Sequence, residues 1–417
     1  MNRKQNERKR MLKVNMRKKG RFFITGWNIT TNQFEYSIVQ QNEVKVMGEF
    51  SEGLNEQELA ILVKLIQKNG SKVNQTKYTI SPSICIQLCF RDIIEDTFIL
   101  PQFMQFLPNE QWDTCTWERL LIENANIDPS IEVTHPEKPL WDNPKINKEQ
   151  LIAYLVSVSP RLLPFVKNRL LTTIRYPHGY IGREFFYQKN KPDYAPSFVT
   201  SFTKDEIDYI LCNDLSTLVW LGNQLALEYH TPFETIDSEH PLEIVFDLDP
   251  PDETHFLLAV TVAQKLNKIF EELNIIGFPK LTGGKGIQVH IPIMHHHFSY
   301  EDTRLFTSFI ASYLVEKNPD LYTTERMKKN RGKKLYIDYI QHAEGKTMIA
   351  PYSPRGREGA IVAAPLYWDE VDKQLQRKNF TLDNISKSRL TDPCPMASFF
   401  ETKNDTIANI IHSLKKG

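Results

Sequence analysis

Between Phe22 and about Trp117 the chain alternates β-branched and aromatic residues with polar ones. The runs RFFITGWNI, FEYSIVQQNEVKVMGEF, KYTISPSICIQLCF and DTFILPQFMQF predict strands separated by turn residues. One stretch breaks this rhythm. Leu59, Leu62, Val63 and Ile66 follow the i, i+3, i+4, i+7 rule, Asn55 and Glu58 form a capping box and Gly70 supplies a stop, so a single helix is expected there. Strands with one intervening helix suggest a small β-barrel, with an OB-fold the leading choice.

The next stretch, LLIENANIDPSIEVTHPEKPLWDNPKI, is rich in Pro, Asn and Asp and has no sustained period, which places a domain boundary near residue 125. Beyond it helices and strands alternate. A helix is expected from Asn147, with Gln150 as its box partner and Leu151, Tyr154, Leu155 and Val158 on the buried face. The strand EIVFDLD, the helix THFLLAVTVAQKLNKIFEEL and the strands IQVHIPI and KKLYIDYI follow, the pattern of a mixed α+β domain. The expected organisation is a basic flexible tail over 1–21, the OB-fold-like barrel over 22–118, a linker over 119–131, the α+β domain over 132–395 and a C-terminal tail over 396–417.

Composition narrows the picture only modestly. Of 417 residues 41% are hydrophobic and 24% charged, and Lys plus Arg balance Asp plus Glu at 51 each, so any nucleic-acid contact must come from local patches. The first 21 residues form such a patch, with ten Lys or Arg against Glu7; a solvated tail and a DNA-touching arm are both open readings. No run is long and apolar enough to span a bilayer and no secretory signal core is present, so a cytoplasmic protein without membrane contact is expected. Cys85, Cys89, Cys115, Cys212 and Cys394 lack zinc-site spacing and do not suggest a disulfide framework; Cys85 and Cys89 read as small strand residues. The loop MHHHF reads as an ordinary loop, since adjacent His295, His296 and His297 do not easily face one ion.

The chemistry sits in the acids. Asp247 and Asp249 lie two apart in EIVFDLDPPD, an otherwise buried strand, so both carboxylates share a face. Such a pair repels unless something positive lies between them, and a divalent metal is the obvious candidate. A third acid, Asp338, interrupts the strand KKLYIDYI; three carboxylates on two neighbouring strands can hold two hard cations that keep positions open for phosphates. A solvated edge is the alternative. In LTGGKGIQVH, Gly283, Gly284 and Gly286 surround Lys285 before a strand, which would let backbone approach a phosphate, although the spacing is not that of a Walker A loop. Arg355 and Arg357 follow the third acid in a Pro- and Gly-bounded loop suited to bidentate phosphate contact. Finally, Lys148 directly follows the Asn147 cap, where the helix dipole disfavours a cation. An anion docked on free backbone amides there, held by Lys148 and Lys138 together, would remove the conflict.

The motifs FDLDP, TGGKGIQV, YIDYIQHAEGKTMIAPYSPRGREGAIVAAPL and LTTIRYPHGYIGREFFYQKN together resemble the polymerase domain of bacterial ligase D, of the archaeo-eukaryotic primase superfamily. The resemblance runs from about Glu132 to Pro395. It implies a primase-like mixed sheet domain that uses two Mn2+ or Mg2+ ions, held by Asp247, Asp249 and Asp338, for nucleotidyl transfer to DNA 3′ ends and gap filling in non-homologous end joining, with ribonucleotides preferred. It implies that His230, Thr282, Lys285, Gln288, Gln341 and Arg355 bind the incoming NTP or dNTP. Thr282 stands where serine is usual and Gln288 where many members have histidine. Phe185 and Phe186 resemble a pair that stacks on the template, with Lys189 beside the backbone. Lys138 and Lys148 resemble the pair that holds the downstream 5′-phosphate of gapped DNA, and His135 stands where asparagine is common. Ku and a separate DNA ligase are the partners implied, at the nucleoid.

The N-terminal module resembles the end of the OB-fold domain of an ATP-dependent DNA ligase, through SPSICIQLCFRDI and FILPQFMQFLPNEQWDTCTW. Leu100 precedes Pro101 where a basic residue is expected, and no Lys-x-Asp-Gly run supplies the lysine a ligase uses as nucleophile. Ligase activity is therefore expected to be absent. A non-catalytic DNA-end-binding module left from a truncated ligase D is the other class of function.

Overall fold

The computed structural model describes residues 18–94 and 96–416. The chain divides into two compact units, residues 1–125 and 126–417. Most of the basic start expected as a flexible tail, residues 1–17, lies outside the described residues. Lys18–Arg21 do not continue such a tail: they open the first strand, β1 (Lys18–Asn28), in register with Phe90 back to Gln87.

In the first unit β1 is followed by β2 (Gln33–Gln40) and β3 (Glu43–Phe50). The two-residue turn between β2 and β3 puts both Gln41 and Asn42 at positive φ, which matches the twist of a tight hairpin. Helix α1 (Glu56–Asn69) carries the expected reciprocal capping box of Asn55 and Glu58 and stops at Gly70, burying Leu62 and Ile66. β4 (Cys85–Phe90) then pairs with β1 and β5 (Gln102–Phe106) with β4. The sheet curls back on itself, because the amide of Phe103 in β5 donates to the carbonyl of Glu52, just past β3, at 2.8 Å. Phe22, Tyr36, Phe50, Leu62, Ile66, Phe90 and Phe98 fill the interior. Cys85 and Cys89 are buried strand residues, as expected.

The second unit is built on two antiparallel-rich sheets. One has the order β10-β11-β9-β13-β12, where β9 is Glu243–Asp249, β10 Phe278–Leu281, β11 Ile287–Pro292, β12 Tyr322–Thr323 and β13 Leu335–Asp338. The other has the order β7-β6-β8-β14, where β6 is Thr172–Arg175, β7 Phe186–Gln188, β8 Ala226–Thr231 and β14 Met348–Ile349. The longer helices among the described residues pack around them: α2 (Lys148–Val166), α3 (Leu215–Asn223), α4 (Phe256–Glu272), α5 (Tyr300–Lys317) and α6 (Thr406–Leu414). Asn147 and Gln150 form the predicted box at the start of α2. In the α+β core Ile244, Phe246 and Leu248 of β9 are fully buried. This face alternation leaves Asp247 and Asp249 together on the other side of the strand.

Two segments expected to be irregular are structured. Residues Trp117–Glu123, inside or beside the expected linker, form a helix capped by Thr116 that buries Leu120. The segment after Pro395 is no loose tail: Phe399 is fully buried with its ring 5.2 Å from that of Phe165 and 5.3 Å from that of Phe278, and Ile407 and Ile411 of α6 join the main core. Apolar residues four apart on one helical turn supply the reason.

Candidate active site

β9 is the middle strand of its sheet, and its neighbours set the site. Asp247 pairs directly with Gln288 of β11 on one side and with Asp338 of β13 on the other, while Lys280 of β10 pairs with Gln288. Directly opposed residues share a face, so Lys280, Gln288, Asp247 and Asp338 form one polar row across four strands. Asp249 and Tyr336 form the next pair along.

The row is electrostatically unbalanced. Burial, then the Asp338 and Asp249 carboxylates, push the Asp247 carboxyl up to about 7, against the hydrogen bond from Gln288. Lys280, with no exposed surface, is lowered to about 7 by burial, which the nearby acids oppose. Its Nζ donates to Gln288 Oε1 at 2.7 Å and to the Ile349 carbonyl at 3.1 Å. The flanking acids are engaged by protein donors. Asp249 lies 3.1 Å from Lys285 Nζ and 3.3 Å from Arg331 Nη1. Asp338 Oδ1 accepts from Tyr336 Oη at 3.0 Å and from the Gln341 amide at 2.9 Å.

Among the described residues no three His, Cys, Asp or Glu side chains are already gathered as a metal-ligand set. The donors nevertheless suit a hard divalent cation: three carboxylates on adjacent, registered strands, one of them pushed toward its neutral form by burial and by the other two.

Above the row lies a cleft of about 220 Å³ lined by His230, Asp247, Asp249, Thr282, Lys285, Gln288, Gln341 and Arg355, among others. All six sequence-derived nucleotide residues therefore meet two of the three acids. Asp338 faces an adjoining cleft of about 190 Å³ that shares Gln341 and is lined by Arg326, Arg331 and Lys346. The glycine loop works differently from its expected role. The Gly284 and Gly286 amides donate to Thr282 Oγ1 at 3.0 and 3.3 Å, so these two brace the loop. Gly283, at φ +67°, is needed for space: a Cβ there would meet Arg355 Cγ at 2.5 Å. Lys285 is held over the acids by the Pro250 and Pro251 carbonyls at 2.5 and 3.0 Å.

The other expected contacts lie outside this cleft. Phe185 and Phe186 are both exposed, at 52% and 43%, and neither belongs to the core. Phe185 precedes β7 and packs 5.5 Å from the Tyr176 ring, and Arg175 sits 5.2 Å over Phe186. Lys189 is exposed, 6.0 Å from the Tyr209 ring.

At the start of α2 the free amides expected for an anion are taken: Lys148 N donates to Lys138 O, Glu149 N to Pro136 O, and Gln150 N to the Asn147 side chain, each at 2.9 Å. The loop folds back onto the helix end and satisfies the donors itself. The two ammonium groups are what remain. Lys148 is buried, with Nζ on the Thr134 carbonyl at 2.6 Å, and burial, then Lys138, lowers it to about 8. Lys138 Nζ rests on the Pro177 carbonyl at 2.7 Å, and exposed His135 stands at φ +49° in the same loop.

Residues that the motif reading passed over complete the site. Lys280 lies two strands from Asp247, with Gln288 between them. Arg331 stacks 3.6 Å over the Tyr336 ring and reaches Asp249. Arg357, expected from the sequence to stand beside Arg355 as a phosphate contact, also lines the cleft. Glu228, almost fully buried, bonds His230 Nε2 at 3.0 Å.

Residues 147–396 match the family described as LigD, primase-polymerase domain, and the chain belongs to that family. It is 42% identical over 394 residues to the bifunctional non-homologous end joining protein LigD of Bacillus subtilis, covering 94% of this chain but 64% of that protein. It is 30% identical over 267 residues to the multifunctional LigD of Mycolicibacterium smegmatis, covering 62% of this chain and 35% of that protein. Among solved structures, the polymerase domain of Mycobacterium tuberculosis ligase D in complex with DNA aligns over 66% of this chain and 100% of its own length, with a TM-score of 0.61 at 24% identity, a likeness of fold.

The raised Asp247 carboxyl gives a direct test. Its pKa lies above the ordinary value of 3.8, so the stability it contributes is complete below about pH 4 and is lost as pH rises through about 7. In chelator-treated protein, Asp247→Asn should be more stable than wild type at pH 8 by on the order of 3 kcal/mol, with the gap closing toward pH 4. Urea melts across that range measure it, and parallel pH curves for the two proteins would contradict the assignment.

Proposed function

We propose that the chain is a metal-dependent, primase-type polymerase that adds nucleotides, ribonucleotides by preference, to DNA 3′ ends and fills gaps at breaks during bacterial non-homologous end joining. The observation that carries the reading is the cross-strand pairing of Asp247 with Asp338, beside Asp249, under a cleft walled by Lys285, Arg355 and His230. Asp247, Asp249 and Asp338 would hold two Mn2+ or Mg2+ ions, which when bound lower the pKa of the primer hydroxyl and neutralise charge on the leaving pyrophosphate. Lys285 and Arg355 would take triphosphate charge that now falls on Asp249 and Glu228. Gln288, fixed by Lys280, presents its amide to the reacting side of the cleft. The alternative, a DNA-end-binding module without catalysis, has no observation in its favour, since Asp247 and Asp338 stand in register with Asp249 beside them. The first unit reads as an OB-fold module, supported by the strand order and its closure at Phe103. Ku and a separate ligase are the proposed partners, in the cytoplasm at the nucleoid; no helix among the described residues is long and apolar enough to cross a membrane.

Phe185 and Phe186 are exposed platforms for unpaired template bases, with Lys189 beside them. Lys138 and Lys148 bind the downstream 5′-phosphate: two ammonium groups rest on carbonyls, and an anion would relieve their mutual repulsion.

Primer extension with ATP and dATP and added manganese tests the main reading. Asp247→Ala should reduce extension by about a thousandfold or more, the scale of transition-state charge stabilisation, with a native melt; undiminished extension would refute it. For the phosphate site, gapped DNA carrying a downstream 5′-phosphate should bind more tightly than its 5′-hydroxyl counterpart, and Lys138→Ala with Lys148→Ala should erase the difference. Equal wild-type affinity for the two DNAs would remove the site. Nick sealing is no part of the proposal, and labelled ATP should leave no covalent adenylate on the chain; a stable adduct on a denaturing gel would show that a ligase nucleophile exists.

A further inference from the structure

β8 repeats, on the second sheet, the device that marks the acids of β9: an ionisable pair two residues apart on one strand. Glu228 and His230 share a face, and each sits against β6, opposite Ile174 and Thr172. Glu228 is 3% exposed, yet its carboxylate gathers two hydrogen bonds and a nearby guanidinium. Oε1 accepts from the Gly356 amide at 3.0 Å, Oε2 bonds His230 Nε2 at 3.0 Å, and Arg355 Nε stands 3.5 Å from the same oxygen. Arg355 Nε is itself buried and makes no hydrogen bond at that distance and angle. One buried acid thus ties together two of the cleft's cationic side chains and the loop between them.

The bond to Nε2 has a chemical consequence. In a neutral imidazole that donates from Nε2 to Glu228, Nδ1 carries a lone pair and repels an anion. Only the imidazolium donates from both nitrogens, to the carboxylate on one side and to a phosphate on the other. Without an anion the environment disfavours the charged ring: burial, together with Arg355 and Lys280, holds His230 below its ordinary range against the pull of Glu228. Glu228 stays ionised, because the hydrogen bonds from His230 and the Gly356 amide and the charge of Arg355 outweigh the effect of its burial. Of the remaining charged groups at the loop, Arg357 adds positive charge and the Tyr176 hydroxyl donates to the Gly356 carbonyl at 3.3 Å.

We propose that Glu228 is the positioning residue that lets His230 meet a nucleotide phosphate as an imidazolium, with one proton drawn from solvent as the nucleotide enters. The inference rests on the nucleotide-binding reading of this cleft. The carboxylate contributes in two ways: it orients the ring, and it supplies the negative charge that makes a second N–H available to the phosphate. Glutamine at 228 keeps the first role and loses the second.

Calorimetric titration of the full chain with magnesium ATP, in two buffers of different ionisation enthalpy, reads the protons exchanged on binding. Protons exchanged by the acids of β9 and β13 are common to all proteins compared, so the difference between them isolates His230. Wild type should take up roughly one proton more near neutral pH than either Glu228→Gln or His230→Gln. Glu228→Gln should bind ATP roughly tenfold more weakly at pH 8, with the deficit shrinking as pH falls and the ring charges without help. A deficit independent of pH, or equal proton uptake in wild type and His230→Gln, overturns the inference while leaving the cleft a nucleotide site. If Glu228→Gln does not fold, His230→Gln and the wild-type pH profile still decide it. Wild type that binds no ATP at all overturns both readings.

Discussion

Two carboxylates in direct register on neighbouring strands constrain the rest of the second unit. Asp247 and Asp338 face each other across β9 and β13 with Asp249 beside them, and an isolated cluster of this kind would be costly under a folded sheet. The surrounding residues read as responses to that charge. Lys280 and Gln288 extend the row on one side; Lys285 and Arg331 cap Asp249; Tyr336 and the Gln341 amide hold Asp338. Each of these groups also lines one of the two adjoining clefts or stands beside it, so the side chains that neutralise the acids are those a triphosphate or a cation would displace.

Lys280 links this row to the second sheet. Its contact with the Ile349 carbonyl joins β10 to β14, and Ile349 is in register with His230. The acid sheet and the sheet that carries His230 and Glu228 are therefore tied at the floor of the cleft by one buried ammonium group. The aromatic platform connects through the same loop, since Phe185 packs on Tyr176 and Tyr176 bonds Gly356, next to Arg355. The proposed template, nucleotide and metal contacts are thus linked although their residues come from separate strands and loops.

Much of this was legible in the sequence, for a physical reason. Acids inside apolar strands break an alternation that is otherwise cheap to satisfy, so Asp247, Asp249 and Asp338 stand out, and capping boxes at Asn55 and Asn147 announce helix starts locally. Glu228 in ALEYHT and Lys280 in FPKL carry the same signal of a charge within a buried strand, and weighing every such charge would have found them. What could not be read locally depends on long-range closure. The loop at Pro136–Lys138 occupies the amides of α2, the hydroxyl of Thr282 occupies those of the glycine loop, and Phe399 finds its partners on Phe165 and Phe278, far off in the chain. Helix dipole and glycine content indicate where an anion is welcome, but only the fold shows which donors are still free.

The central claim is that the registered aspartates form a divalent-cation site. Electron paramagnetic resonance of free Mn2+, titrated with the metal-free protein at neutral pH, counts bound ions without requiring nucleotide, DNA or turnover. The account predicts that wild type removes Mn2+ from solution and that Asp247→Asn and Asp338→Asn each lose most of that binding while Lys138→Ala does not. Variants that bind Mn2+ as wild type does would contradict it.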